Sequence, residues 1–250
     1  MKKMIKIYGE RNTGTNYLSK LINLNLHAIQ IEGIAPQKIL KLQKLAPGKE
    51  LIRDLYFQLS FNKNLGWKHS CINSYKLKNS ILYKKNSPAI ITLTKNPYAW
   101  LLSLYRNPYH QHYRKKPDFK TFLLQPWKTV LRDKLQSNLE NPIELWNQKN
   151  SSYIQDDYLN LTSESIIKNP EAIIDEISQK FNIQKKNNHF INYHQSTKER
   201  KKDNNYYLDY YQNEKWQQEL NDEIIYIINQ SLDKKVLKHF GYRLLSSSLE

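Results

Sequence analysis

Apolar and polar side chains follow two periods along this chain. Ile5-Lys6-Ile7-Tyr8 alternates as a short strand does, and the polar run from Gly9 to Gly14 reads as the loop that ends it. Leu18, Leu21, Ile22 and Leu26 then recur at helical spacing, so the chain opens as strand, loop and helix. His27–Ile31 is a candidate second strand, and Pro36–Leu59 reads as basic helix broken at Pro47-Gly48. Leu65-Gly66-Trp67-Lys68-His69 reads as a strand with a polar end. Ala89–Thr94 is the clearest strand, β-branched and nearly all apolar, as a central parallel strand is. Asn96-Pro97 carries the start signal of a helix, with Asn as N-cap and Pro at the first helical position. Residues 107–138 read as surface helices and loops.

In the second half, Tyr158–Leu161 reads as a strand, and Asn169-Pro170 repeats the helix start signal. Ile173, Ile174, Ile177 and Phe181 line one face of the helix that follows. Residues 184–215 read as a long polar loop, Ile224–Leu237 as one helix, and Gly241 as its C-terminal stop. Strands alternating with helices predict an α/β fold in three layers, with a mainly parallel sheet covered on both faces. The reading is one domain over residues 1–245, with 246–250 set apart as an added tail.

Composition narrows the chemistry. The formal charge of +16 favours anionic partners, whether a nucleotide, an acidic glycan or nucleic acid. Cys71 is the only cysteine, which excludes an internal disulfide and a multi-thiolate zinc site, and a reducing, cytoplasmic setting is expected. No stretch has the length and apolarity of a transmembrane helix, and the opening residues lack a signal-peptide pattern.

Two strand–helix junctions carry candidate chemistry. Gly9-Glu10-Arg11-Asn12-Thr13-Gly14-Thr15-Asn16 has the spacing of a phosphate-binding loop, in which backbone N–H groups and a helix N-terminus face an anion. Thr15 stands where a nucleoside-triphosphatase loop has lysine, and Asn16 where it has the metal-holding Ser or Thr. The loop is therefore suited to a phosphate but not to a metal-bound triphosphate. At the second junction, Lys95 ends the apolar strand and Ser103 lies seven positions after Asn96. That is about two helical turns, so Ser103 returns to the face of the helix start.

Lys95-Asn96-Pro97-Tyr98-Ala99-Trp100-Leu101-Leu102-Ser103 resembles the 3′-phosphate-binding segment of sulfotransferases that use 3′-phosphoadenosine-5′-phosphosulfate (PAPS). Gly14-Thr15-Asn16-Tyr17-Leu18 resembles the 5′-phosphosulfate loop of a bacterial branch of that family. The segment Leu161–Ile183 resembles its late strand–helix–helix stretch, and Phe240-Gly241-Tyr242 its C-terminal end. The resemblance implies the P-loop-like sulfotransferase fold and transfer of a sulfuryl group from PAPS, without a metal, to a hydroxyl or amine. The acceptor stays open: the basic, aromatic segment 105–135 suits a glycan or another small hydroxylated molecule, and no nucleic-acid partner is expected. His69, at a strand end in Trp67-Lys68-His69, matches the family's catalytic base, and Arg11 and Lys68 are candidates to stabilise the leaving phosphate. Arg11, Asn12, Thr13, Gly14, Thr15 and Asn16 would cradle the 5′ end, and Lys95 and Ser103 would hold the 3′-phosphate.

The chain departs from the family pattern in three places. Lys95 stands where arginine is usual, Asn12 separates Arg11 from Thr13, and the Arg-Lys-Gly phosphate loop of the cytosolic animal enzymes is absent. Lys198, Arg200 and Lys201 are candidates to replace that loop. Two other readings stay open: a P-loop kinase or nucleoside triphosphatase, and a non-catalytic binder of nucleic acid or acidic glycan. The first needs lysine and Ser/Thr at positions 15 and 16. The second fits the charge and the 18 tyrosines but has no recognised motif.

Overall fold

The structure, a computed structural model, describes residues 2–45, 49–111, 113–194 and 204–249. The chain runs β1 (Lys3–Gly9), α1 (Thr15–Asn25), β2 (Ala28–Gln30), α2 (Gln37–Leu45), α3 (Lys49–Leu59) and α4 (Phe61–Asn64). It continues through α5 (Ser74–Lys78), α6 (Ile81–Asn86), β3 (Ala89–Thr94), α7 (Pro97–Arg106), α8 (Phe119–Leu124), β4 (Trp127–Lys128) and β5 (Asn138–Leu139). The last part holds α9 (Pro142–Tyr153), β6 (Leu159–Thr162), α10 (Ser163–Lys168), α11 (Pro170–Phe181), α12 (Asn204–Gln212), α13 (Asp222–Ser231) and α14 (Lys234–His239).

Four strands form an all-parallel sheet in the order β2-β1-β3-β6. Side chains alternate across it. Ile5, Ile7, Ile91, Leu93 and Leu161 face α1 and α11. Tyr8 and Ile90 face the opposite layer, with Trp100, Trp146 and Ile228 of α7, α9 and α13. The three-layer α/β architecture expected from the sequence is therefore present, and β3 is buried along its whole length because both faces are covered. Lys6 also points into the second layer, where its ammonium donates to Asn64 O (2.6 Å) and Gly66 O (2.7 Å).

The topology fixes where a ligand crevice can form. From β1 the chain crosses by α1 to β2 on one side, whereas β3 leads to β6 on the other. The chain leaves β1 and β3 toward opposite sides of the sheet, and it is at such a point that open α/β sheets place a ligand crevice.

Four expectations are corrected. Leu65–His69 is not a strand: Leu65 (φ 60°) and Gly66 (φ 86°) turn the backbone left-handed, and Lys68 and His69 form a turn. The segment 107–138 is not a surface appendage. Tyr109, Phe122, Leu123 and Trp127 are core residues, and a small antiparallel pair, β4–β5, braces them. Within the supposed loop 184–215, α12 is a helix rich in tyrosine. The helix expected over 224–237 is two helices, because Asp233 caps a new start through Lys235 N and Val236 N. Gly241 follows α14 at φ 73°, the left-handed position a helix stop needs. Among the described residues no helix is long and apolar enough to cross a membrane.

Candidate functional site

The loop after β1 is built from its backbone. Asn12 (φ 67°) and Gly14 (φ 86°) turn it left-handed, and Thr13 Oγ1 donates to Glu10 O at 2.6 Å. Gly9 has no room for a side chain: a Cβ there would lie 2.7 Å from Leu93 O and 2.8 Å from Thr15 Cγ2. Gly14 and Asn16 are exposed at the mouth, and the first turn of α1 carries no acidic residue. That turn presents N–H groups with no carbonyl one turn earlier, so the helix start offers an anion donors, while within the loop the Arg11 and Thr13 N–H groups are taken by Glu10.

Beneath the mouth the loop is anchored by charge. Glu10 is buried, accepts from Tyr109 OH (2.8 Å) and pairs with Lys149 Nζ at 2.8 Å. Lys149 also pairs with Asp133 (2.6 Å) and donates to His69 O. Burial alone would push the Lys149 ammonium down, but the two carboxylates hold it well above its ordinary value. Sequence reading missed this triad because its members are scattered through three elements. The one local hint was a carboxylate inside a loop otherwise suited to anions.

The junction after β3 is built from side chains. Asn96 caps α7 by accepting from Tyr98 N and Ala99 N. Lys95 is buried, and its ammonium donates to Ser103 Oγ at 2.9 Å and to Tyr211 OH of α12. The expected convergence of Lys95 and Ser103 is present. Burial lowers the Lys95 ammonium to about 7, Arg106 adds to the shift, and Glu164 opposes it. Tyr211, from a segment read as loop, is a third member of this corner.

The two junctions meet. Ser163 Oγ lies 2.6 Å from Thr13 O of the first loop and 2.9 Å from Thr94 O at the end of β3, and its one proton serves both carbonyls. Trp100 of α7 donates through Nε1 to Arg11 O at 2.9 Å. Thus the two junctions lie side by side at the carboxyl ends of β1 and β3.

His69 lies beside the first junction although no strand delivers it. The turn at 68–69 is held by Gly9 N to Lys68 O (2.9 Å) and Lys68 N to Gly33 O (3.1 Å). His69 Nδ1 donates to Gly9 O at 2.5 Å, which leaves Nε2 as the lone-pair nitrogen. Burial, then the Lys68, Arg11 and Lys149 charges, hold the imidazole well below its ordinary value, while the Gly9 carbonyl opposes them. It is therefore neutral near pH 7. Lys68 and His69 both reach the loop, because a turn does not alternate side chains as a strand does. Lys68 Nζ donates to Asn16 Oδ1 at 2.6 Å.

Arg11 turns toward the His69 side of the crevice. Its guanidinium lies 3.9 Å from the Tyr109 ring centre and 5.2 Å from that of Trp67, and Nη2 is 3.2 Å from His110 Nε2. The His69 ring meets the same Trp67 edge to face at 5.1 Å. His110, at φ 60°, is lowered to about 4 by burial and then by Arg11, so it accepts from the guanidinium as a neutral ring. Thr15 is buried against Gly9. Lys198, Arg200 and Lys201 lie outside the described residues.

These junctions bring together an N–H-bearing helix start, a buried ammonium–hydroxyl pair and a neutral imidazole. Such a set can hold a molecule with two anionic ends and take a proton from a third group. Compared with known proteins, the chain matches no family model and no curated protein.

Proposed function

We propose that this protein is a PAPS-dependent sulfotransferase. The observation that carries the reading is the Lys95–Ser103 pair, 2.9 Å apart at the end of β3, next to the N–H-bearing helix start that follows the adjacent strand β1. Two anion-suited corners on neighbouring strands fit a nucleotide phosphorylated at both ends of its ribose. The resemblance of residues 95–103 and 14–18 to the family's two phosphate segments supports the same reading.

In it, Lys95 and Ser103 hold the 3′-phosphate, with Tyr211 contributing its hydroxyl. Residues 12–16 and the first turn of α1 hold the 5′-phosphosulfate. When bound, the nucleotide supplies a sulfuryl group already activated on a phosphate leaving group. His69 Nε2 takes the proton of the acceptor hydroxyl or amine as the acceptor's bond to sulfur forms and the bridging sulfur–oxygen bond breaks. Lys68, held at the start of α1 by Asn16, neutralises the charge left on the 5′-phosphate. Arg11 stays with Tyr109 and His110 and lines the acceptor side.

The test is calorimetry with the desulfated product, 3′-phosphoadenosine-5′-phosphate, against ATP with Mg²⁺. The bisphosphate is expected to bind and ATP–Mg²⁺ to bind far more weakly. Equal or tighter binding of ATP–Mg²⁺ would overturn the reading in favour of a P-loop kinase.

A further inference from the structure

The hairpin of α2 and α3 has two unlike sides. Its inner side is fixed to the crevice wall. Arg132, whose side chain is fully buried, pairs with Glu50 and with Asp54 Oδ1 (2.7 Å), and Phe57 packs with Ala35 and Trp67. The outer side is apolar and, among the described residues, exposed. Leu51, Leu55 and Leu59 follow each other at one-turn intervals on α3 and are 52%, 46% and 84% exposed. The packed neighbour α2 adds Leu42, 54% exposed. Single exposed leucines are ordinary; three in one stripe, with a fourth on the partner helix, are not.

The charge around this ridge has one sign. Residues 34–64 contain six basic side chains (Lys38, Lys41, Lys44, Lys49, Arg53, Lys63) and two acidic ones, Glu50 and Asp54. Both acids pair with Arg132, while Lys38, Lys41, Lys44 and Lys63 are exposed. A second copy of the chain would bring like-charged lysine rows together on a protein of net charge +16, which opposes self-association. An anionic lipid surface complements both features, since leucines enter the acyl boundary and lysines meet the headgroups.

We infer that the α2–α3 hairpin docks this protein on an anionic membrane surface through Leu42, Leu51, Leu55 and Leu59. Trp67, against which Phe57 and the His69 ring both pack, then lies about one helix diameter, ~10 Å, behind the ridge. Docking therefore sets the His69 side of the crevice close to the headgroup layer. The inference stands apart from the nucleotide reading, and its readout is separate.

The experiment is co-sedimentation of the full chain with vesicles of phosphatidylcholine alone and of phosphatidylcholine mixed with phosphatidylglycerol. Binding to the mixed vesicles is expected, and Leu55→Glu/Leu59→Glu should lower it by about tenfold or more. Leu55→Ser/Leu59→Ser gives the same direction without adding charge. Ile81→Glu, at an exposed apolar site on α6, should leave binding unchanged. No binding to mixed vesicles overturns the inference. So does binding that the ridge variants leave intact, or light scattering that finds a dimer which the ridge variants dissociate. Calorimetry with the bisphosphate runs in parallel: its failure would remove the sulfotransferase reading and leave the vesicle result standing.

Discussion

The two junctions that border the crevice solve the same problem with different materials. In the proposed reading, the anion-facing surface after β1 is main chain, set by left-handed turns at Asn12 and Gly14 and by the start of α1. After β3, it is side chain, a buried ammonium fixed by Ser103 and Tyr211. A main-chain donor keeps its polarity at every pH and depends on backbone shape. A buried lysine can lose its charge, but its grip can be removed without altering the fold. The first corner should therefore break through sterics, and the second through chemistry.

The largest effect is expected where the first corner meets the proton-transfer group. His69→Ala should lower sulfuryl transfer by about 10²- to 10⁴-fold while bisphosphate affinity in calorimetry stays unchanged. Retained turnover would take His69 out of the reaction. Next comes the second corner. Lys95→Ala should weaken the bisphosphate by about 10- to 100-fold, the range of a charged hydrogen bond, yet leave adenosine 5′-phosphate unaffected. Its pH dependence follows from a buried ammonium near 7. The grip on the 3′-phosphate is complete below that value and falls as pH rises through it, because the proton leaves the free lysine. Lys95→Arg, which stays charged, should flatten that fall in a calorimetric pH series.

Smaller effects separate shape from space within the first corner. Gly9→Ala forces a Cβ onto the Leu93 carbonyl and should cost about 1–3 kcal/mol in denaturant unfolding. Gly14→Ala meets only Leu93 Cδ2 at 3.9 Å, so its cost is left-handed strain alone, about 1 kcal/mol. If both cost the same, close contact is not what fixes Gly9. Least of all, Asn96→Ala removes the cap of α7 and should cost ~1 kcal/mol of stability, with nucleotide affinity altered only through Lys95.

What could be read from the sequence was local. Gly9 to Gly14, Asn96-Pro97 and the apolar run 89–94 announce strand ends and helix starts because their signals lie within a few residues. The Lys95–Ser103 meeting followed from the family resemblance of residues 95–103, with helical pitch in agreement. The parts missed were set by distant partners. Trp67-Lys68-His69 has the composition of a strand, but Leu65 and Gly66 take left-handed geometry, and the turn is held by Gly9 and Gly33 instead. Glu10, Asp133 and Lys149 join from three separate segments, and no spacing rule links them. The tyrosines of α12 recur at helical spacing, Tyr206 with Tyr210 and Tyr207 with Tyr211, but they sit in a polar stretch, and no local signal shows that Tyr211 reaches Lys95.

Ser163 gives the crevice a built-in gauge. A single hydroxyl spans the carbonyls of Thr13 and Thr94, so the distance between the two corners is a property of the scaffold and not of whatever enters. A molecule with its anionic ends set farther apart, such as a dinucleotide, would have to pry that span open before it could seat both ends. In the proposed reading, selectivity by length would reside in Ser163, outside the two sets that hold the anionic ends.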